Sequence, residues 1–334
     1  MEITWARPPK EPALGQIRAF LSRLGLDFDE NVHTTALLME DGHMLATGSR
    51  EGNVLKCIGV LPDSQGEGLA ATLLTALVKD AAENGIFHLF VFTKPESVRY
   101  FCELGFFPVV ETAHAALLEN RREGIRHFVA SLDRPPEAKQ AGAIVANCNP
   151  FTNGHLYLME TAAKACDTLH IFVLSEDRSA FSAAERMALV QAGTAHIPNA
   201  IVHPTGDYLI SSATFPDYFI KDKARAAEIN CELDLHLFAR QFAKPLNITQ
   251  RFVGTEPTCP VTSAYNQQMQ AILPRYGITV TEIPRIQQAG QPISASLVRK
   301  LMTQGRFSEL RPLVPETTYR YLERMKTDES ASPV

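Results

Sequence analysis

A two-domain α/β architecture is what the 334 residues predict, and three observations lead there. The length is about twice that of an ordinary domain of roughly 150 residues. In the second half, strand-like runs alternate with helix-like ones, which is the pattern of a parallel sheet. Between the halves lies Asp133-Arg134-Pro135-Pro136-Glu137-Ala138-Lys139, where two missing backbone donors and several charges resist burial. The expected domains are therefore 1–134 and 139–328, with different folds because the sequence has no internal repeat. The polar tail from Thr327 to Val334 is expected to fray.

In the first half, Val54–Leu61 reads as a strand leading into Pro62-Asp63-Ser64-Gln65-Gly66-Glu67-Gly68. A helix follows from Leu69 to about Asn84, with Leu69, Leu73, Leu77 and Ala81 on one stripe and Gly85 as its stop. Phe87–Thr93 is a strand, Pro95–Leu104 a short helix, and Gly105 the turn after it. The second half opens with strand Ala143–Cys148, a loop over 149–153 and a helix from Gly154 to about Cys166. Thr168–Leu174 completes a βαβ unit whose crossover should be right-handed. Ser182 and Glu185 form a capping box for a helix ending near Gly193. Ile201–His203, Arg251–Gly254 and Thr279–Ile283 are the later strands. Ligands of such sheets bind beyond the carboxyl ends of the strands.

Composition narrows the function. Hydrophobic residues make up 45% and charged ones 21%, which suits packed cores and not a disordered chain. No run approaches the roughly 18 apolar residues of a membrane span. The N-terminus lacks the basic-then-apolar pattern of a signal peptide, so a cytoplasmic protein is expected. The 6 cysteines form no CxxC pair and read as reduced thiols, not as a zinc site. The net charge of −5 falls in residues 1–134, with 13 Lys and Arg against 18 Asp and Glu, and neither half offers a basic face for nucleic acid.

The segment Asn147-Cys148-Asn149-Pro150-Phe151-Thr152-Asn153-Gly154-His155 sits where the first strand of the second half meets its helix. Unpaired N–H groups and a partial positive charge at that helix start suit a phosphate. Gly154 permits close backbone approach, and His155 can donate to a phosphoryl oxygen. Alone, an Xaa-Gly-His is more often a structural histidine. Ile293-Ser294-Ala295-Ser296-Leu297-Val298-Arg299 follows the last strand. With Ser294 as cap, Ser296 falls in the first turn and Arg299 about one turn on, so two hydroxyls, a helix dipole and a guanidinium face one anion.

Together these two segments resemble the paired motifs of the nucleotidylyltransferase superfamily, which implies a Rossmann-like domain. The resemblance implies that Asn147, Asn149, Pro150, Phe151, Thr152, Gly154 and His155, with Ile293, Ser294, Ser296 and Arg299, grip ATP with its Mg2+ and stabilise attack on the α-phosphate. Arg178 ahead of Phe181, the Glu185-Arg186 pair and Gly254-Thr255-Glu256 fit as intermediate landmarks, with Glu256 ordering the sugar. Thr152 stands where the better-known His-x-Gly-His motif has its first histidine. A threonine carries no charge, so more charge stabilisation falls on His155, Arg299, magnesium and Lys221. The catalytic set is Thr152, His155, Lys221 and Arg299, with no metal ligand assigned. The hydroxyl- and aromatic-rich run from Gly206 to Lys223 is the expected acceptor region, through Asp207, Tyr208, Ser211, Ser212 and Thr214. An ordinary loop and amphipathic helix is the other reading of that run.

In the first half, Gln65-Gly66-Glu67-Gly68-Leu69-Ala70 resembles the phosphate-cradling loop of the GNAT acetyltransferases. The resemblance implies that Leu61, Gln65, Gly66, Gly68 and Ala70 hold a pantetheine- or coenzyme-A-like arm. Tyr100-Phe101-Cys102-Glu103-Leu104-Gly105-Phe106 resembles that family's later helix and Gly-Phe turn. Phe101, however, occupies the place of the usual tyrosine acid, and Tyr100 is turned from it by about 100°. No carboxylate stands out as a base. This half is expected to hold the arm without ordinary acetyl transfer.

The pairing of the two domains resembles the citrate lyase ligases over nearly the whole chain. That implies acetate attacking ATP to give acetyl-adenylate and pyrophosphate. The acetyl group then passes to the thiol of a phosphoribosyl-dephospho-coenzyme A group on the acyl carrier (gamma) subunit of citrate lyase. The residues alone also allow a phosphopantetheine-type nucleotidylyltransferase making dephospho-coenzyme A, and a protein acetyltransferase with a nucleotide-sensing domain. Acetate itself rests on the resemblance.

Overall fold

The apolar stripe of the first predicted helix organises one side of the molecule. The structure, a computed structural model, describes residues 1–135, 140–176, 179–209, 216–256 and 259–331. Two compact units emerge: Met1–Ile125 with Ser212–His236, and Arg126–Ser211 with Leu237–Val334. The first runs β1 (Glu2–Ala6), α1 (Ala13–Arg23), β2 (Thr34–Glu40), β3 (His43–Glu51), β4 (Val54–Val60), α2 (Leu69–Glu83), β5 (Phe90–Thr93), α3 (Val98–Glu103), β6 (Phe107–Glu111) and β7 (Ala116–Glu119). Its strands form one sheet in the order β1-β2-β3-β4-β5-β7-β6.

Leu69, Leu73, Leu77 and Ala81 of α2 are buried in this unit's core. Gly48 in β3 makes the fit possible, because a Cβ there would stand 2.9 Å from Leu73 Cδ2. Gly85 takes the left-handed turn after α2 (φ 76), and the Ile86 N–H returns to the Ala81 carbonyl at 2.9 Å. The strand expected over 87–93 starts only at Phe90, because the Asn120 side chain takes the Leu89 N–H at 2.8 Å.

Asp80 on α2 is 3% exposed and receives Arg50 Nη2 at 2.7 Å and Arg7 Nη2 at 2.6 Å. Removing the carboxylate strands the buried Arg50 guanidinium. Asp80→Ala is expected to cost about 3–5 kcal/mol, measured as a lower urea midpoint of the full chain. A loss under about 1 kcal/mol would show that other groups satisfy Arg50.

The second unit runs α4 (Gly124–Ala130, which straddles the division), β8 (Ala141–Ala146), α5 (Asn153–Ala163), β9 (Thr168–Val173), α6 (Ala183–Thr194) and β10 (Ala200–Pro204). After the segment bearing α7 (Ala226–Leu237), it resumes with β11 (Ile248–Gly254), α8 (Pro260–Ile272), β12 (Thr279–Ile283), α9 (Ala295–Thr303) and α10 (Glu316–Ala331). Its main sheet is parallel throughout, ordered β10-β9-β8-β11-β12. The chain steps outward from β8 to β9 and β10, then crosses back to β11. That reversal opens a crevice at the carboxyl ends of β8 and β11, where open α/β sheets bind ligands.

The units differ from the expected 1–134 and 139–328 domains. The division falls between Ile125 and Arg126, and Ser212–His236 joins the first unit. Tyr218 holds that segment there: its carbonyl accepts the Asp27 N–H at 2.9 Å and its hydroxyl donates to the Phe92 carbonyl at 2.8 Å. Residues 136–139 of the expected linker lie outside the described residues. The tail expected to fray from Thr327 continues α10 to Ala331. Among the described residues no helix is long and apolar enough to cross a membrane.

Candidate functional site

β8 ends at Ala146, and the chain turns through Asn147–Phe151 into α5. Thr152 caps that helix, its hydroxyl accepting the His155 N–H at 3.4 Å. In return, His155 Nδ1 accepts the Thr152 N–H at 3.1 Å and lies 2.9 Å from the Thr152 hydroxyl. This is a capping box with an imidazole in place of the usual Glu or Gln. An Nδ1 that accepts bears no proton, so the neutral ring carries its proton on Nε2. Burial, and secondarily the nearby Arg285, push the His155 pKa down to about 4. His155 is therefore a neutral hydrogen-bond donor at neutral pH, which corrects the expectation that it supplies positive charge.

Two neighbours also change role. Thr152 is 1% exposed with its hydroxyl engaged by His155, so it positions the imidazole and does not itself face a phosphate. Phe151 is fully buried, its ring filling the space that a side chain at Gly193 would take and stacking on the His155 ring. It is core, not ligand surface. Pro150 is buried as well.

The second motif meets the first through Arg299. Ser294 caps α9 by accepting the Leu297 N–H at 3.2 Å. Arg299 reaches back, donating from Nη1 to the Asn149 carbonyl and from Nη2 to the Ser296 hydroxyl at 3.2 Å. Gly154 is needed for this approach, since a Cβ there would stand 3.1 Å from the Ile293 carbonyl oxygen. Asn149 Oδ1 accepts the Phe181 N–H at 3.1 Å, and the Asn147 amide contacts Ser179 Oγ at 3.1 Å. Behind them lies Arg186, 0% exposed, donating to Leu174 O at 2.7 Å, Phe181 O at 3.0 Å, Asn147 O at 3.1 Å, Asn147 Oδ1 at 2.6 Å and Glu176 O.

Sequence reasoning missed Arg285, just past β12. Its guanidinium pairs with Glu256, and its N–H donates to Thr255 Oγ1 at 3.3 Å. Glu256 also accepts the Cys259 N–H at 3.2 Å through its other oxygen. The carboxylate expected to order a sugar is thus committed to Arg285 and the start of α8. Gly254 lies beside Arg285, at 3.8 Å from where its Cβ would be to Arg285 Cγ. The only local signal is the Pro284-Arg285 pair at the carboxyl end of a strand.

Tyr208 is 3% exposed and packs on the Phe128 ring, while Asp207 is exposed. Lys221 is exposed and belongs to the first unit, beside Gly25. Arg178, Ser211, Ser212 and Thr214 lie outside the described residues. Among the described residues no group of three or more His, Cys, Asp or Glu could hold a metal ion, so none is assigned to the magnesium that accompanies a nucleotide.

The first unit has its own cavity, of about 880 Å3, lined by Gln65, Gly66, Gly68 and Ala70 and, opposite, by Tyr100 and Phe101. Gly66 and Gly68 have φ of 92 and 74, and Gly68 caps α2 without a side-chain hydrogen bond. An N-terminus without a side-chain cap is a geometry that suits an anion. Leu61 stands behind the loop, its carbonyl accepting the Ser64 N–H at 3.0 Å.

Residues 141–322 match the family described as citrate lyase ligase C-terminal domain, and residues 22–128 match the acetyltransferase (GNAT) domain. The citrate (pro-3S)-lyase ligase of Klebsiella pneumoniae is 40% identical over 326 residues, covering 96% of this chain and 95% of that protein. Its counterpart from Escherichia coli K12 is 40% identical over 331 residues, covering 97% and 94%. A phosphopantetheine adenylyltransferase of Staphylococcus carnosus is 39% identical over 69 residues, covering 20% of this chain and 43% of that protein.

Proposed function

Because this chain belongs to the citrate lyase ligase family, we propose that it activates acetate with ATP and delivers the acetyl group to a thiol arm on citrate lyase. An acetate oxygen attacks the α-phosphorus of ATP, the bond to the α,β-bridging oxygen breaks, and pyrophosphate leaves acetyl-adenylate behind. The thiol then attacks the acetyl carbonyl, its proton passes to solvent, and AMP departs from the thioester. The arm is the phosphoribosyl-dephospho-coenzyme A group of the acyl carrier subunit. Its receptor is the first unit's cavity, with the Gly66–Gly68 loop taking the phosphates.

The fixed tautomer of His155 is the observation that carries the adenylating step. Displacement at phosphorus is mostly positioning and neutralisation of oxyanions. Thr152 orients the ring so that Nε2–H donates to an α-phosphate oxygen. Arg299, tied to Asn149, and Arg285, held by Glu256, supply the positive charge that a neutral His155 cannot. The full chain is expected to exchange labelled pyrophosphate into ATP only when acetate is present. Exchange that requires phosphopantetheine would make it an adenylyltransferase, and acetyl-coenzyme A consumption without ATP would make it an acetyltransferase.

Arg285 and Arg299 are tied to the site's own loops, so we assign to them the neutralising role first expected of Lys221. Lys221→Ala is expected to leave acetate-dependent exchange within about threefold of wild type, as for the loss of one exposed charge. A tenfold fall in exchange would restore Lys221 to the adenylating step.

A further inference from the structure

In the first unit, β4 and β5 pair in parallel only at Val54–Phe90 and Leu55–Val91. Past those pairs the strands part, and backbone groups inside the sheet need other partners. Tyr218 supplies them. Its hydroxyl donates to the Phe92 carbonyl at 2.8 Å and takes a backbone hydrogen bond from Cys57, so it bridges the strands just beyond their last pair. The residue is 5% exposed, and Phe219 beside it is 3% exposed, their rings 5.2 Å apart. Both line the cavity that the Gln65–Gly68 loop also lines. Cys57 stands three residues before Val60, or about 10 Å of strand, so the Tyr218 hydroxyl is held further back along β4 than the loop that follows the strand.

We propose that Tyr218 and Phe219 set the length of the acyl chain the first unit's cavity admits, walling its inner end so that a thiol or acetyl thioester fits and a longer acyl thioester does not. This rests on the arm-receptor reading above. The hydroxyl and the ring of Tyr218 have separable parts. The hydroxyl ties β4 to β5, and the ring is the wall.

Calorimetric titration of the full chain with acetyl-coenzyme A and hexanoyl-coenzyme A tests this. Wild type is expected to prefer the acetyl thioester by at least about tenfold, a usual selectivity for a walled apolar pocket. Tyr218→Ala should shrink that preference to under about threefold by strengthening the hexanoyl complex, since the added methylenes gain a buried site. Tyr218→Phe keeps the ring and should keep the preference. Phe219→Ala, which leaves the hydroxyl bridge intact, should also shrink it and serves if Tyr218→Ala does not fold. A preference unchanged in the alanine variants overturns the wall. Failure of wild type to bind either thioester overturns the arm receptor with it, while pyrophosphate exchange still reports separately on the adenylating unit.

Discussion

Replacing His155 by Ala should slow acetate-dependent pyrophosphate exchange about 100- to 1,000-fold, the size of one lost transition-state donor. The same change also breaks the capping box of α5, at a cost of about 1 kcal/mol, so loss of rate alone does not isolate the donor. Two further variants do. His155→Gln and His155→Glu each restore a side-chain acceptor for the Thr152 N–H, because Gln and Glu are the usual partners in that box. Only Gln also keeps an N–H to donate. Gln is expected to recover part of the lost exchange and Glu none, with both near wild type in urea midpoint. Equal rates for the two would remove donation from the mechanism.

The acid–base behaviour of His155 adds an independent check. Its folded-state pKa, near 4, lies below the unfolded value near 6.5, so the folded site favours the neutral ring. Its stability contribution is complete above pH 6.5 and is lost as pH falls toward 4. Exchange should therefore show no histidine inflection between pH 8 and about 5.5. A rate that rises on acidification through 6.5 would mean that the imidazolium is the active form.

What could be read from the sequence was mostly local. The α2 stripe, the caps at Ser182 and Ser294, and the strand-to-helix turn at 147–154 all lie within a few residues, and the structure has each of them. β2 went unread because its first five residues, Thr34–Leu38, are all buried, which erases the alternation that marks a half-exposed strand. Arg285 was hidden because its place depends on register: Gly254 pairs with Ile283, which sets residues after 283 beside Thr255 and Glu256. Tyr218 meets Asp27 and Phe92 across more than 100 residues of sequence. Thr152 and Phe151 were assigned by residue type, and burial decides otherwise.

Arg186→Met should have the largest effect on stability of any single change in the second unit. A fully buried guanidinium here gathers the backbone carbonyls of Asn147, Leu174, Glu176 and Phe181 with the Asn147 side chain. Methionine fills a similar volume but donates nothing, and each orphaned buried acceptor costs about 1–3 kcal/mol. Partial relaxation toward water would still leave a loss above about 3 kcal/mol, read as a lower urea midpoint. Function should fail with it, because this one side chain gathers acceptors from the loops after both β8 and β9. With the guanidinium gone, the Asn149 contact with Phe181 and the Asn147 contact with Ser179 remain, but the Asn147 carbonyl loses this donor. Arg186→Lys separates charge from geometry. One ammonium cannot span the set of acceptors that the planar fork reaches, so lysine should recover some stability yet leave exchange at least about tenfold down. A lysine variant with wild-type exchange would mean that the site needs only a buried positive charge there, and that the carbonyl fan has no part in placing His155.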